Sequence, residues 1–262
     1  MRRRHSPWIT SPPRPEALAI DTSRRASFRA SFARMSTAGY RFANLLTLPG
    51  SPHRFIAAQL RQPSGRFGRW VMTRVLNNRN AELITSTVDA LQLRRDQSFL
   101  DLGFGGGLGL QLAAARTDAP LWGVDFSADV VLAGVDAFAD VIAAGRLNLV
   151  RADVADLPLR DGLVEAIATV NTIYFWPDVL RGLSSLLRVL RPGGRIAIGY
   201  SGATKMRDFG KITQHGFRTY EPAEVEALLR DAGFTRVSTQ TLSGKTSRGD
   251  YVSLGVREVG AA

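Results

Sequence analysis

A chain of 262 residues with 45% apolar content can bury one good core, and its lack of cysteine excludes disulfides, thiolate metal sites and cysteine nucleophiles. The formal charge of +11 invites a nucleic-acid reading, but residues 1–50 hold nine Arg against Glu16 and Asp21, about +7, leaving about +4 for the rest. No aromatic-interleaved basic patch or RNA module accompanies the charge, and no apolar run approaches the roughly 18–20 residues of a bilayer span. Nucleic acid is therefore the weaker partner reading, no membrane span is expected, and a soluble, cytoplasmic protein is.

In chain order, residues 1–50 combine Pro12, Pro13 and Pro15 with Ser and Arg, which predicts a basic, disordered extension. Within it Phe28, Phe32 and Met35 fall at helical spacing among Arg24, Arg25, Arg29 and Arg34, a pattern also shared by organellar targeting segments. A plain tail, or a true start at Met35, stays open beside that. Over 51–95 apolar residues recur every three or four positions, broken by Pro63, Gly65 and Gly68, which predicts an N-terminal helical cover of two or three helices. Its Arg61–Trp70 stretch, followed by Asn77–Asn80, is too specific to be mere packing.

From 96 to 262 strand and helix patterns alternate, with strands near 98–102, 121–125, 147–152, 164–170 and 195–200. That rhythm predicts a doubly wound α/β, Rossmann-like sheet. Leu180, Leu183, Leu187 and Leu190 are expected on the buried face of a helix that stops at Arg191-Pro-Gly-Gly194, with Gly193 as a left-handed cap. A helix near 221–232 and two strands near 234–242 and 249–258, able to pair antiparallel, follow.

The most informative stretch is Ser98–Gly109. Phe99, Leu100 and Leu102 suit a buried parallel strand, and Gly103, Gly105 and Gly107 remove every Cβ where the chain reverses. A dinucleotide fold asks for G-x-G-x-x-G here, and the sixth position is Leu108 or Leu110 in the two registers. The pattern that fits is D-x-G-x-G-x-G, beginning at Asp101. A carboxylate beside a pyrophosphate is repulsive, so Asp101 points to a ligand with positive charge.

Three further strand ends add to it. Asp125 closes the second strand, where a carboxylate can accept from both hydroxyls of a ribose, and Phe126 beside it can cover an adenine face. Capping the next helix is the equal alternative for Asp125. Asp153 after the third strand can accept from an adenine amino group while the next backbone N–H, that of Val154, serves the ring; a turn-forming Asp is as good a reading. The fourth strand runs into Asn171-Thr-Ile-Tyr-Phe-Trp176, an aromatic cluster at the mouth of the sheet.

Together Leu100–Gly107, Gly123–Ser127, Ala152–Val154 and Leu187–Arg195 resemble the class I S-adenosylmethionine-dependent methyltransferases, specifically the small-molecule (methyltransferase type 11, quinone-biosynthesis-like) group. The resemblance covers about 66–257 and implies a seven-stranded sheet of order 3-2-1-4-5-7-6 with an antiparallel last strand. It implies S-adenosylmethionine as cofactor, held at its methionine portion by Asp101 and the backbone of Gly103, Gly105 and Gly107, and at its ribose by Asp125. Phe126, Asp153 and Val154 would frame adenine, and Asn171 would meet the amino-acid end through main chain. Phe104 stands where many relatives carry Cys or Ser.

Methyl transfer needs mainly in-line positioning and exclusion of water, with a base helpful for a phenol or an acidic carbon. His215 and Tyr174 are the candidate catalytic groups: His215 lies in the 201–220 segment, where the family places a substrate lid. A surface-loop histidine is the bland alternative. Tyr174, Phe175 and Trp176 are expected to line a flat acceptor pocket, with core packing as the alternative. No His and carboxylate spacing marks a metal site. The expected function is O- or C-methylation of a small aromatic or quinone-like acceptor; a catalytically silent cofactor-binding protein and an RNA methyltransferase using the Arg-rich tail are the alternatives. Acceptor, methylated atom and oligomeric state stay open.

Overall fold

The computed structural model describes residues 77–207, 217–244 and 246–259. They fall in one compact unit, Ala38–Ala262; the other unit, Met1–Thr37, lies outside the described residues. In chain order the elements are α1 (Asn77–Ala90), β1 (Phe99–Leu102), α2 (Leu108–Ala114), β2 (Leu121–Asp125), α3 (Ala128–Ala137), α4 (Ala139–Ala143) and β3 (Leu147–Arg151). Then come β4 (Val164–Val170), α5 (Val179–Val189), β5 (Leu190–Ser201), α6 (Ala203–Arg207), α7 (Pro222–Asp231), β6 (Phe234–Thr241) and β7 (Asp250–Arg257). Among the described residues no helix is long and apolar enough to cross a membrane.

The strands form one seven-stranded sheet in the order β3-β2-β1-β4-β5-β7-β6. The first five are mutually parallel, and β7 pairs antiparallel with both β5 and β6. β1 is buried along its whole length, as an interior parallel strand covered on both faces must be.

Period-2 alternation distributes large and small side chains between the faces. Leu100, Ile167, Ile196 and Ile198 pack on one side with Leu183 and Leu186 of α5 and Val225 and Leu229 of α7. Phe99, Ala166, Ala168 and Ala197 face the other side with Leu83, Val88, Leu110 and Val130. The alanines let α1 sit close, and at Gly199 of β5 a Cβ would strike the Thr87 hydroxyl of α1. Asn77–Asn80 thus form the first turn of a helix packed on the sheet; Arg61–Trp70 lies outside the described residues.

Two local expectations are corrected. Leu180 is 42% exposed, and the buried stripe of α5 is Val179, Leu183, Leu186 and Val189. Gly193 is left-handed (φ 78°), but it sits inside the irregular start of β5 and does not cap α5, because Leu190 already pairs with Val164.

Candidate functional site

Five parallel strands end on one side of the sheet, and the turn between β1 and α2 occupies the point where strand order reverses, the usual ligand crevice of such folds. Gly103, Gly105 and Gly107 all have positive φ (69°, 50° and 79°), a run that side chains with a Cβ resist. The turn is tied down twice: Gly103 N donates to Val124 O at 2.6 Å, and Gly105 N donates to Asp125 Oδ2 at 3.2 Å.

Asp101 is buried and accepts from the backbone N–H of Leu110, and a Cβ at Gly109 would land on its carboxylate. The side chain therefore lies beneath the first turn of α2. Burial, and secondarily the charge of Asp125, push its carboxyl up to about 7. Asp125 is also buried and raised by desolvation, against hydrogen bonds from Ser127 N (2.9 Å) and Gly105 N. Neither carboxylate has a cationic partner among the described residues.

Phe126 is 47% exposed beside Asp125, with its carbonyl taken by Arg151 Nε at 3.2 Å. Asp153 is exposed and uses its carboxylate to accept from Ala155 N at 2.9 Å, capping a one-turn 3₁₀ helix at Val154–Asp156. The Val154 side chain is buried in the core, which leaves its main chain for any ligand.

At the end of β4, Asn171 turns into a left-handed conformation (φ 56°), and its N–H donates to Gly199 O at 2.9 Å. The Tyr174 hydroxyl lies 3.0 Å from both Asn171 Oδ1 and Ser201 O and takes a hydrogen bond from Ser201 N at 2.6 Å. It is buried, and desolvation drives its ionisation far above the usual phenol range. That corrects the expectation of Tyr174 as a base: a hydroxyl so occupied and so hard to ionise anchors structure. His215, the other catalytic candidate, lies outside the described residues.

The aromatic mouth also differs from expectation. Phe175 packs edge-on against Phe217 (centroids 4.7 Å) and Tyr174 (6.1 Å), whereas Trp176 is buried in the core against Gly182 of α5. Sequence reading missed Phe217, which follows the 208–216 segment. It also missed a buried polar corner: Ser201 Oγ donates to Asp250 Oδ1 at 2.6 Å, and Asp250 Oδ2 pairs with Lys205 Nζ at 2.8 Å. Tyr220 is buried, and its hydroxyl has no hydrogen-bond partner among the described residues. No local signal marks these residues, because each partner lies tens of positions away.

The residues fit a cationic nucleoside ligand. The turn carries no Cβ at Gly103, Gly105 and Gly107, the two buried carboxylates have no cationic partner among the described residues, and an exposed aromatic ring stands beside the second one. Sheet order, turn and crevice define the class I methyltransferase fold. Residues 100–198 match the family model described as a methyltransferase domain. Residues 100–198 thus carry a methyltransferase-domain sequence on the class I methyltransferase fold.

The chain is 26% identical over 167 residues to the 27-O-demethylrifamycin SV methyltransferase of Amycolatopsis mediterranei, covering 60% of each. It is 35% identical over 101 residues to the ubiquinone/menaquinone biosynthesis C-methyltransferase UbiE of Geotalea daltonii, covering 38% of this chain and 43% of that one. It thus spans less than two thirds of the length of these curated relatives. Among solved structures, the [4+2]-cyclase SpnF shares the fold at 17% identity and a TM-score of 0.59, covering 68% of this chain and 82% of that one.

Proposed function

We propose that this protein transfers a methyl group from S-adenosylmethionine to the oxygen or carbon of a small aromatic or quinone-like acceptor. The observation that carries the reading is the glycine turn with Asp101 and Asp125 buried beside it and, among the described residues, unpaired by cations. When bound, the cofactor supplies an already activated sulfonium methyl, so little covalent chemistry falls to the protein.

In this reading Asp125 holds the ribose hydroxyls with the second lone pairs of oxygens already fixed by Gly105 and Ser127 N–H groups. Phe126 lies on one face of the adenine, and Asp153 and the Val154 main chain meet its edge. The close-approaching backbone of the Gly103–Gly107 turn, whose Gly103, Gly105 and Gly107 N–H groups are already taken within the fold, and the charge of Asp101 beneath it receive the methionine portion, and Asn171 meets the same end. Phe175 and Phe217 exclude water and hold a flat acceptor over the methyl carbon. His215 takes the acceptor proton where the nucleophile is a phenol or an acidic carbon.

The test is mass-spectrometric tracking of isotopically labelled methyl groups in a cell extract given the protein and labelled S-adenosylmethionine. A small-molecule product 14 Da heavier, before isotope correction, is expected, and its yield should fall at least about tenfold in His215→Ala. Label in RNA would overturn the acceptor class. Cofactor binding without any transfer would favour the silent reading, for which the fold likeness to a cyclase gives a precedent of other chemistry on this architecture.

A further inference from the structure

The Tyr174 hydroxyl has one proton and faces two oxygens, Ser201 O and Asn171 Oδ1, each at 3.0 Å. Its claim on each can be weighed. Ser201 N and Ser201 O project to the same side of β5, past the last β4 pairing at Val170 and the bond from Asn171 N to Gly199 O. The hydroxyl sits there like a missing strand partner, accepting from Ser201 N at 2.6 Å and returning its proton to Ser201 O.

The corner holds Ser201 in that place. Its Oγ donates to Asp250 Oδ1, Asp250 is buried and paired with Lys205, and Gly202 N donates to Gly249 O at 2.9 Å. A buried carbonyl deprived of the Tyr174 proton would be costly, so that proton belongs to Ser201.

An oxygen of Asn171 at 3.0 Å would then face a lone pair. The two ends of a carboxamide have the same shape, and turning it end for end puts its NH₂ on the Tyr174 oxygen, where every group is satisfied. Asn171 is half-buried at the carboxyl end of β4, and its other amide end has no partner in the described structure.

We infer that Tyr174 holds Asn171 with its side-chain oxygen presented to the crevice, as a neutral acceptor for the ammonium group of the cofactor's amino-acid end. This rests on the proposed cofactor site. It also gives the ammonium a direct partner, since the Asp101 carboxylate is set back under α2 against Leu110 N and Gly109. Tyr174 is then a positioning residue and Asn171 the contact.

The test is calorimetric titration of the full chain with S-adenosylhomocysteine, which carries the ammonium, and with 5′-methylthioadenosine, which lacks the amino-acid end. Asn171→Ala should weaken the first about tenfold and the second less than about twofold. Asn171→Asp keeps an acceptor oxygen and should bind S-adenosylhomocysteine within about twofold of wild type or tighter. In the Asn171→Ala background, adding Tyr174→Phe should cost nothing further, because the hydroxyl acts through the missing amide.

Equal loss for both ligands, loss on Asn171→Asp, or additive loss from Tyr174→Phe in variants that still unfold cooperatively would each overturn the inference. The third would mark a merely structural hydroxyl. Failure of the wild type to bind either ligand would instead remove the cofactor site, and the inference with it.

Discussion

The crevice over β1 and β2 is made mostly of backbone, whereas the wall over β4, β5 and β7 is made of side chains that meet across long stretches of sequence. In the first, alternate left-handed glycines turn the backbone tightly over the strand ends, with Asp101 and Asp125 buried beside it. In the second, Asn171, Tyr174, Ser201, Asp250 and Lys205 complete one another's hydrogen bonds. A backbone cradle tolerates no added atom; a side-chain corner tolerates atoms but not the loss of a partner. The two halves should therefore fail differently.

The largest expected effect is electrostatic and belongs to the cradle. Burial raises Asp101 from 3.8 to about 7, so as pH rises the unfolded chain loses this proton first. The contribution favours folding fully below about pH 3.8, declines through the window and is gone above about 7. At roughly 1.4 kcal/mol per unit this amounts to about 4 kcal/mol. Thermal unfolding of wild type and Asp101→Asn between pH 4 and 8 reads it: wild type should lose ground to the variant up to about pH 7 and hold level beyond. Parallel curves would mean Asp101 is not strained by its burial.

Next comes Gly109→Ala, whose Cβ would strike the Asp101 carboxylate; about 3 kcal/mol, or roughly 6–12 °C in Tm, is expected. A change under about 1 kcal/mol would show that the cradle has slack and would blur the contrast between the halves. In the other half, Asp250→Ala strands the Lys205 ammonium and the Ser201 hydroxyl together, at about 2 kcal/mol, since Lys205 keeps some contact with water. Denaturant unfolding of both single variants and the double should give additive losses if the halves are independent. Strong coupling would join them. The smallest effect is Phe126→Ala: an exposed ring contributes less than about 0.5 kcal/mol to folding, yet its loss should weaken S-adenosylhomocysteine about fivefold.

The same contrast explains what sequence reading reached. The glycine turn was legible because φ above zero and a missing Cβ are written in residue type, and the limits of β1, β2 and β4 came within a residue because apolar runs end where burial ends, whereas β5 begins at Leu190, five residues before the expected 195. Around α5, Val179, Leu183 and Leu186 compete with Leu180, Leu183 and Leu187 as helical stripes, and only packing against the sheet chooses the first. Tyr174 read as a candidate base because the Ser201 main chain that occupies its hydroxyl lies 27 positions away. Asp250 and Lys205 carry no motif at all; the antiparallel return of β7 beside β5 brings them together.

The central claim is that the crevice binds S-adenosylmethionine through the two carboxylate-bearing strand ends. Its most direct test is calorimetric titration of the full chain with S-adenosylmethionine, beside Asp125→Ala. The account predicts saturable binding by the wild type and at least about tenfold weaker binding by the variant, both remaining folded. A folded wild type that takes up no S-adenosylmethionine would contradict it.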